Sequence, residues 1–219
     1  MKPVVVVLAA PSGGGKTTIA HALEARWPER YGFSVSATTR SPRPGERDGE
    51  DYFFLSKAEF RRRHGAGDFL ESAEYAGELY GTLKAEVDRV LASGRHVLLD
   101  IEVQGARQVR ERYRPPASRA VFILPPSGAE LMRRLKGRRT ESKSEQTKRL
   151  ATAIRELEQA EAFDHVVVND DLDAAVETVH KLVESPDAAA SAQAQLDPER
   201  IDHIRSLIAE LTKQTKEIS

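Results

Sequence analysis

Eight residues near the N-terminus, Ala10-Pro11-Ser12-Gly13-Gly14-Gly15-Lys16-Thr17, follow an unbroken apolar run from Val4 to Ala9 and precede a helical pattern. The run reads as a strand buried on both faces, so the loop leaves the carboxyl end of a parallel sheet, where open sheets of this kind hold ligands. Glycines let the backbone wind tightly enough for several N–H groups to point at phosphate oxygens, reinforced by the positive end of the following helix. Lys16 adds a point charge for β and γ phosphates, and the Thr17 hydroxyl can ligate Mg²⁺. The strict pattern opens with Gly where this chain has Ala10, a common substitute. Ala10 to Thr18 is therefore the expected binding segment for a nucleoside triphosphate, and a P-loop NTPase sheet the expected core.

Length and composition bound the rest. A chain of 219 residues, 40% hydrophobic and 31% charged, can bury a full core as one large domain, with or without an appendage. It has no cysteine, which excludes disulfides, thiolate zinc sites and a cysteine nucleophile and suits a reducing cytoplasm. A formal net charge of -1 argues against a dedicated nucleic-acid binder. No apolar stretch approaches a membrane span, and Met1-Lys2-Pro3 runs directly into the first strand without a signal peptide, so the expected location is cytoplasmic with no membrane partner.

Further apolar, β-branched runs occur at His96 to Ile101, Arg119 to Leu124 and His165 to Val168, each followed by a helical signal. Strands alternating with helices mean a doubly wound parallel sheet. From about residue 33 to 94 the texture changes to short alternating segments such as Tyr52-Phe53-Phe54-Leu55, which read as a small mixed insertion. Within it Ser56-Lys57-Ala58-Glu59 has capping-box spacing and opens a helix. Residues 185–196, rich in Ala, Ser and Gln, read as a linker. Asp197-Pro198-Glu199 then starts a last helix over 197–219.

Ser34-Val35-Ser36-Ala37-Thr38-Thr39-Arg40-Ser41-Pro42-Arg43-Pro44-Gly45-Glu46 is the second decisive stretch. Together with Gly49-Glu50-Asp51-Tyr52-Phe53-Phe54, Phe69-Leu70-Glu71, Tyr80-Gly81-Thr82, Leu99-Asp100-Ile101-Glu102-Val103-Gln104-Gly105-Ala106, Arg138-Arg139-Thr140-Glu141 and Val168-Asn169-Asp170-Asp171, it resembles the guanylate kinase family, whose members phosphorylate GMP with ATP. The resemblance spans about residues 3 to 184. It implies a core over 3–32 and 95–184, a GMP-binding insertion over about 33–94 and a lid over about 137–150.

Physical reading of these residues agrees with the resemblance. Guanidinium forks suit a phosphate, and the family roles give the GMP phosphate to Arg40 and Arg43, with hydroxyls from Tyr52 and Tyr80. Guanine presents N1–H and the N2 amino group along one edge, and a carboxylate can accept from both. Glu71 fits that task, with Ser36 and Thr82 completing the base pocket by resemblance. Adenine has an acceptor where guanine has N1–H, and a buried carboxylate facing it would be left unpaired.

Asp100 ends a buried strand at the ligand edge of the sheet, placed to bind Mg²⁺ through water and, by resemblance, to contact the GMP. Glu102 stands where many relatives carry Asp, and by resemblance borders the GMP. Arg134, Arg138 and Arg149 match lid arginines that close over the phosphates, while Arg133 and Lys136 read as solvated charge. Arg139 replaces a glycine usual in the lid. Asn169 matches a residue that contacts the adenine of ATP, and Asp170 and Asp171 read as a helix cap. ATP and GMP, with dGMP beside it, are the implied substrates and Mg²⁺ the cofactor. Ile201, Ile204, Leu207, Ile208 and Leu211 recur on one face of the last helix. That stripe can dock on its own core, pair with a second chain as a homo-oligomer, recruit another protein or remain frayed.

Overall fold

The run that precedes the glycine-rich loop forms β1 (Val5–Ala9), buried along its whole length. Residues 2–75, 77–136, 143–185 and 197–218 are described by the computed structural model. After β1 come α1 (Lys16–Arg26), β2 (Tyr31–Phe33), β3 (Ser36–Thr38), β4 (Phe53–Phe54), α2 (Lys57–Gly65), β5 (Phe69–Tyr75) and β6 (Glu78–Leu83). The chain continues through α3 (Lys84–Ala92), β7 (His96–Asp100), α4 (Val103–Arg112), β8 (Ser118–Leu124), α5 (Gly128–Lys136) and α6 (Lys143–Leu157). It ends with β9 (His165–Val168), α7 (Leu172–Glu184) and α8 (Pro198–Ile218).

Five strands make a parallel sheet in the order β2-β7-β1-β8-β9. β1 pairs with β7 on one side, Leu8 opposite Asp100, and with β8 on the other. The connection after β1 runs to one side of the sheet and that after β8 to the other, so the glycine-rich loop emerges where the winding reverses, the crevice in which open α/β sheets bind ligands. β1 alternates between two cores. Val5, Val7 and Ala9 pack into a cluster shared with α3, α4, α5, α6 and α8, while Val6 and Leu8 pack against α1 and α7. Four of the five strands carry the apolar runs read from the sequence. The fifth, β2, is a three-residue edge strand with Gly32 at its centre, too short for any periodicity to mark it.

The insertion contains a second sheet, β4-β3-β6-β5, mixed in direction. Its small core is Ala37, Phe60, Phe69 and Leu83. Ser56 caps α2 by accepting the Glu59 backbone N–H at 3.1 Å, as its sequence position implies. A register shift between Phe69 and Glu71 turns Leu70 into the main core and Glu71 toward the cleft between the two sheets, the redirection that β-bulges commonly provide.

α8 starts where expected, with Asp197 Oδ1 accepting the Arg200 N–H at 2.9 Å. Ile204, Leu207 and Leu211 are buried in the main core, where α8 packs on α5 and α6. Of the fates open to its apolar stripe, docking within the chain is the one observed. Arg138, Arg139, the first residues of the lid segment and residues 186–196 of the linker lie outside the described residues.

Candidate active site

α1 begins at Lys16 because Gly13 and Gly15 take φ of 84° and 95°, a left-handed backbone that brings the chain round into the helix. One cleft of about 980 Å³ lies above this turn, lined by Pro11 to Thr18 on one side and by the insertion on the other. Ser36, Arg40, Arg43, Tyr52, Glu71 and Tyr80 face it from the insertion. Asp100, Glu102, Arg134, Arg149 and Asn169 line it from the sheet edge and the helices. Among the described residues, two expected ones do not line it: Ala10 and Thr82 are both buried, Ala10 beneath the loop and Thr82 behind Glu71.

On the phosphate-loop side the polar groups hold one another. Lys16 Nζ lies 3.3 Å from Asp100 Oδ1 and 3.6 Å from Glu102 Oε1. Burial works to lower its pKa, but Asp100 and Glu102 outweigh it and hold the ammonium above its ordinary range. The Thr17 hydroxyl donates to Asp100 Oδ2. Asn169 Nδ2 donates to the Gly14 carbonyl at 3.1 Å. Arg134 reaches the Gly14 and Asn169 carbonyls at 3.5 and 3.4 Å while bonding Glu130 on its own helix at 2.7 Å. Arg149 touches the Leu135 carbonyl at 3.4 Å. Asp171 caps α7 by accepting the Ala174 N–H at 2.8 Å, so that run of acids serves a helix start.

The insertion side is built on three adjacent strands. Ser36 of β3 lies opposite Thr82 of β6, which lies opposite Glu71 of β5, so the three side chains expected in the base pocket share one line across the sheet. Glu71 is 5% exposed and accepts the Thr82 hydroxyl at 2.7 Å. Burial raises its carboxyl pKa, opposed by the hydrogen bonds from Thr82. A β-carbon at Gly105 would collide with Glu71 Oε2, so α4 can lie over this carboxylate only with glycine there. Arg40 forms a fork with Glu46, both bonds 2.9 Å, and sits over the rings of Tyr52 and Phe54. Glu46 also accepts the Arg43 N–H at 2.7 Å. Tyr52 and Tyr80 meet edge to face, 6.2 Å between centroids.

Comparisons with known proteins identify the family. The family model for guanylate kinase matches residues 1–186. The guanylate kinase of Synechocystis sp. is 49% identical over 183 residues, covering 84% of this chain and 94% of its own. That of Rubrobacter xylanophilus is 49% identical over 178 residues, with 81% and 92% covered. A crystal structure of guanylate kinase from Anaplasma phagocytophilum, 30% identical, covers 97% of this chain and 94% of its own with a TM-score of 0.68. The chain belongs to the guanylate kinase family.

A polar contact to the phosphate loop, from a residue outside the cleft lining, has no counterpart in the sequence expectations. Glu156 of α6, 8% exposed, accepts the Ser12 backbone N–H of the phosphate loop at 3.1 Å. Burial pushes its pKa up to about 8, helped by a hydrogen bond with Glu102 and that neighbour's charge. Its signal was faint: it lies seven residues after Arg149, two helical turns along the same face. Tyr75, at the tip of β5, faces the cleft.

Proposed function

We infer that this chain transfers the γ-phosphoryl group of ATP to GMP, giving GDP and ADP. The observation that carries the reading is the meeting of two unlike sites in one cleft: a glycine-rich loop with its lysine, and a buried carboxylate aligned with Ser36 and Thr82. A kinase acting on a sugar phosphate would need the first and not the second. A protein-interaction module would need neither Lys16 nor Thr17.

In this reading the loop amides from Pro11 to Thr18 and Lys16 cradle the β and γ phosphates, and Asn169 borders the adenine. Arg40 and Arg43, with the hydroxyls of Tyr52 and Tyr80, orient the GMP phosphate. Glu71 accepts guanine N1–H and N2–H. Ser36 borders the base, Thr82 fixes Glu71, and Glu102 closes the acceptor side. Arg134, Arg138 and Arg149 neutralise charge on the transferring group. The GMP phosphate is already anionic, so its oxygen attacks without a dedicated general base. Catalysis rests on in-line placement, charge neutralisation and exclusion of water by closure of insertion and lid over the core.

Kinases of this family use ATP, generally with a divalent cation, and we assign Mg²⁺. The donors fit a hard cation. The Thr17 hydroxyl and the Asp100 carboxylate are adjacent oxygen ligands, and Asp100 Oδ1 is a buried acceptor that faces the Lys16 ammonium at 3.3 Å. Among the described residues no three His, Cys, Asp or Glu gather into an all-protein cage, so the remaining ligands would be phosphate oxygens and water. Thr17 would hold the ion directly and Asp100 through water, and the ion when bound neutralises phosphate charge. No described helix is long and apolar enough to cross a membrane. A chain without cysteine suits the reducing cytoplasm, where we place the reaction.

A coupled ADP-release assay across GMP, dGMP, AMP, CMP and UMP tests the function. GMP should be the preferred acceptor, dGMP should be used, and AMP should be rejected by about 10⁴-fold or more in kcat/KM. Comparable rates with AMP or CMP would overturn the assignment of Glu71 to guanine.

A further inference from the structure

Helix α8 lies beyond residue 186, where the family match ends, and the transfer itself does not call on it. Its contacts converge on α5 and α6. Ile204, Leu207 and Leu211 join the apolar cluster that contains Leu131 and Leu135 of α5 and Leu150 and Leu157 of α6. His203 Nε2 meets the Pro125 carbonyl at 3.1 Å, just before α5 begins. Glu210 Oε2 accepts the Gly128 N–H, the first of α5, at 2.8 Å, while the Ser206 hydroxyl steadies the other carboxylate oxygen at 3.3 Å. A β-carbon at Gly128 would stand 2.6 Å from Glu210 Oε2 and 2.9 Å from Glu210 Cβ, so the approach needs glycine.

The C-terminal half of α5 lies against the phosphate loop, where Leu131, Arg134 and Leu135 approach Gly13. Six residues beyond Gly128, about 9 Å along the helix axis, Arg134 reaches the Gly14 and Asn169 carbonyls. A nine-residue helix does not hold its own place in water. α5 is seated against α8, and its first turn is closed by two acceptors, the Ser127 hydroxyl on the Glu130 N–H at 3.1 Å and the carboxylate from α8. A carboxylate there also complements the helix dipole.

We propose that α8 is a positioning element for Arg134: through Glu210 and its apolar face it fixes the axial and rotational setting of α5, and so the place of this guanidinium above the phosphate loop. This rests on the reading of Arg134 as a ligand of the transferring phosphate.

The test is a double-mutant cycle in the full chain, read as kcat and KM at a temperature where circular dichroism shows each variant folded. Glu210→Ala and Arg134→Ala are made singly and together, beside Gly128→Ala, whose methyl group crowds Glu210. Arg205→Ala serves as a control on the exposed face of α8, where among the described residues Arg205 meets only Asp202 at 3.6 Å. Glu210→Ala should lower kcat roughly three- to tenfold with KM for GMP unchanged, and should add nothing once Arg134 is alanine. Gly128→Ala should act in the same direction, and Arg205→Ala should leave the rate unchanged. An impaired Arg134→Ala with an undiminished further loss from Glu210→Ala overturns the positioning role alone. Wild-type kcat in Arg134→Ala overturns the reading of Arg134 and the proposal with it. Wild-type kcat in both Glu210→Ala and Gly128→Ala overturns the proposal outright.

Discussion

On the phosphate-loop side of the cleft Asp100 and Glu102 both face Lys16, at 3.3 and 3.6 Å, whereas on the opposite side Glu71 takes the neutral hydroxyl of Thr82 at 2.7 Å and, among the described residues, has no ion pair. Lys16 is half-buried and Glu71 buried, and the loss of water has opposite consequences for the two. Carboxylates more than compensate the burial of Lys16 and keep it charged, while burial works against the charge on Glu71 and raises its pKa. On the proposed function the first arrangement is one of exchange: a phosphate replaces carboxylates around an ammonium that is already cationic. In the second, a desolvated acceptor has capacity that only a donor can fill, and guanine brings two donors. In the proposed function, phosphate affinity and base discrimination therefore reside in chemically separate parts of one cleft.

The largest effect expected from that separation is at Lys16. Lys16→Ala should lower kcat by about 10²–10³-fold in a folded protein while KM for GMP changes little. Near-normal turnover would remove the loop from the chemistry.

Glu71→Gln comes next. An amide cannot accept from both guanine donors, so KM for GMP should rise roughly 10- to 100-fold while KM for ATP holds. Because burial raises the pKa of Glu71, wild-type affinity for GMP should weaken on the acid side sooner than an ordinary carboxylate would cause. That acid limb should vanish in Glu71→Gln, and its persistence would assign it to another group.

The smallest effect sharpens the role of Glu156. Its pKa, pushed up to about 8, means that the folded state holds a proton the unfolded chain has already released. The resulting stabilisation is complete below the ordinary carboxylate range and is lost as the pH rises through about 8. Glu156→Gln should match the wild-type melting temperature at pH 5 and exceed it by a few degrees at pH 9. Equal melting temperatures at both pH values would show that Glu156 holds no such proton in the folded state.

The sequence revealed these parts unevenly. The phosphate loop was plain because its chemistry is contiguous: the glycines, Lys16 and Thr17 act within one turn of backbone. Helix starts at Ser56, Asp171 and Asp197 were readable for the same reason, since each cap bonds an N–H three residues on. Quoted motifs led to the base pocket by resemblance, but only the strand register explains why Ser36, Thr82 and Glu71 align. β2 was hidden by its brevity. Glu156 was hidden by distance, its partner Ser12 being 144 residues away in the chain. The apolar stripe of α8 was visible without its destination, because a stripe records only that something covers it. α5 and α6 do so.

The separation of the two sides is tested most directly by calorimetry on Lys16→Ala and Glu71→Gln, titrating each with GMP and, separately, with a non-hydrolysable ATP analogue. The account predicts a crossed result, in which Lys16→Ala weakens the analogue and spares GMP while Glu71→Gln weakens GMP and spares the analogue. If either variant weakens both ligands by the same factor, the two sides are not chemically separate, and the residue concerned supports the cleft as a whole.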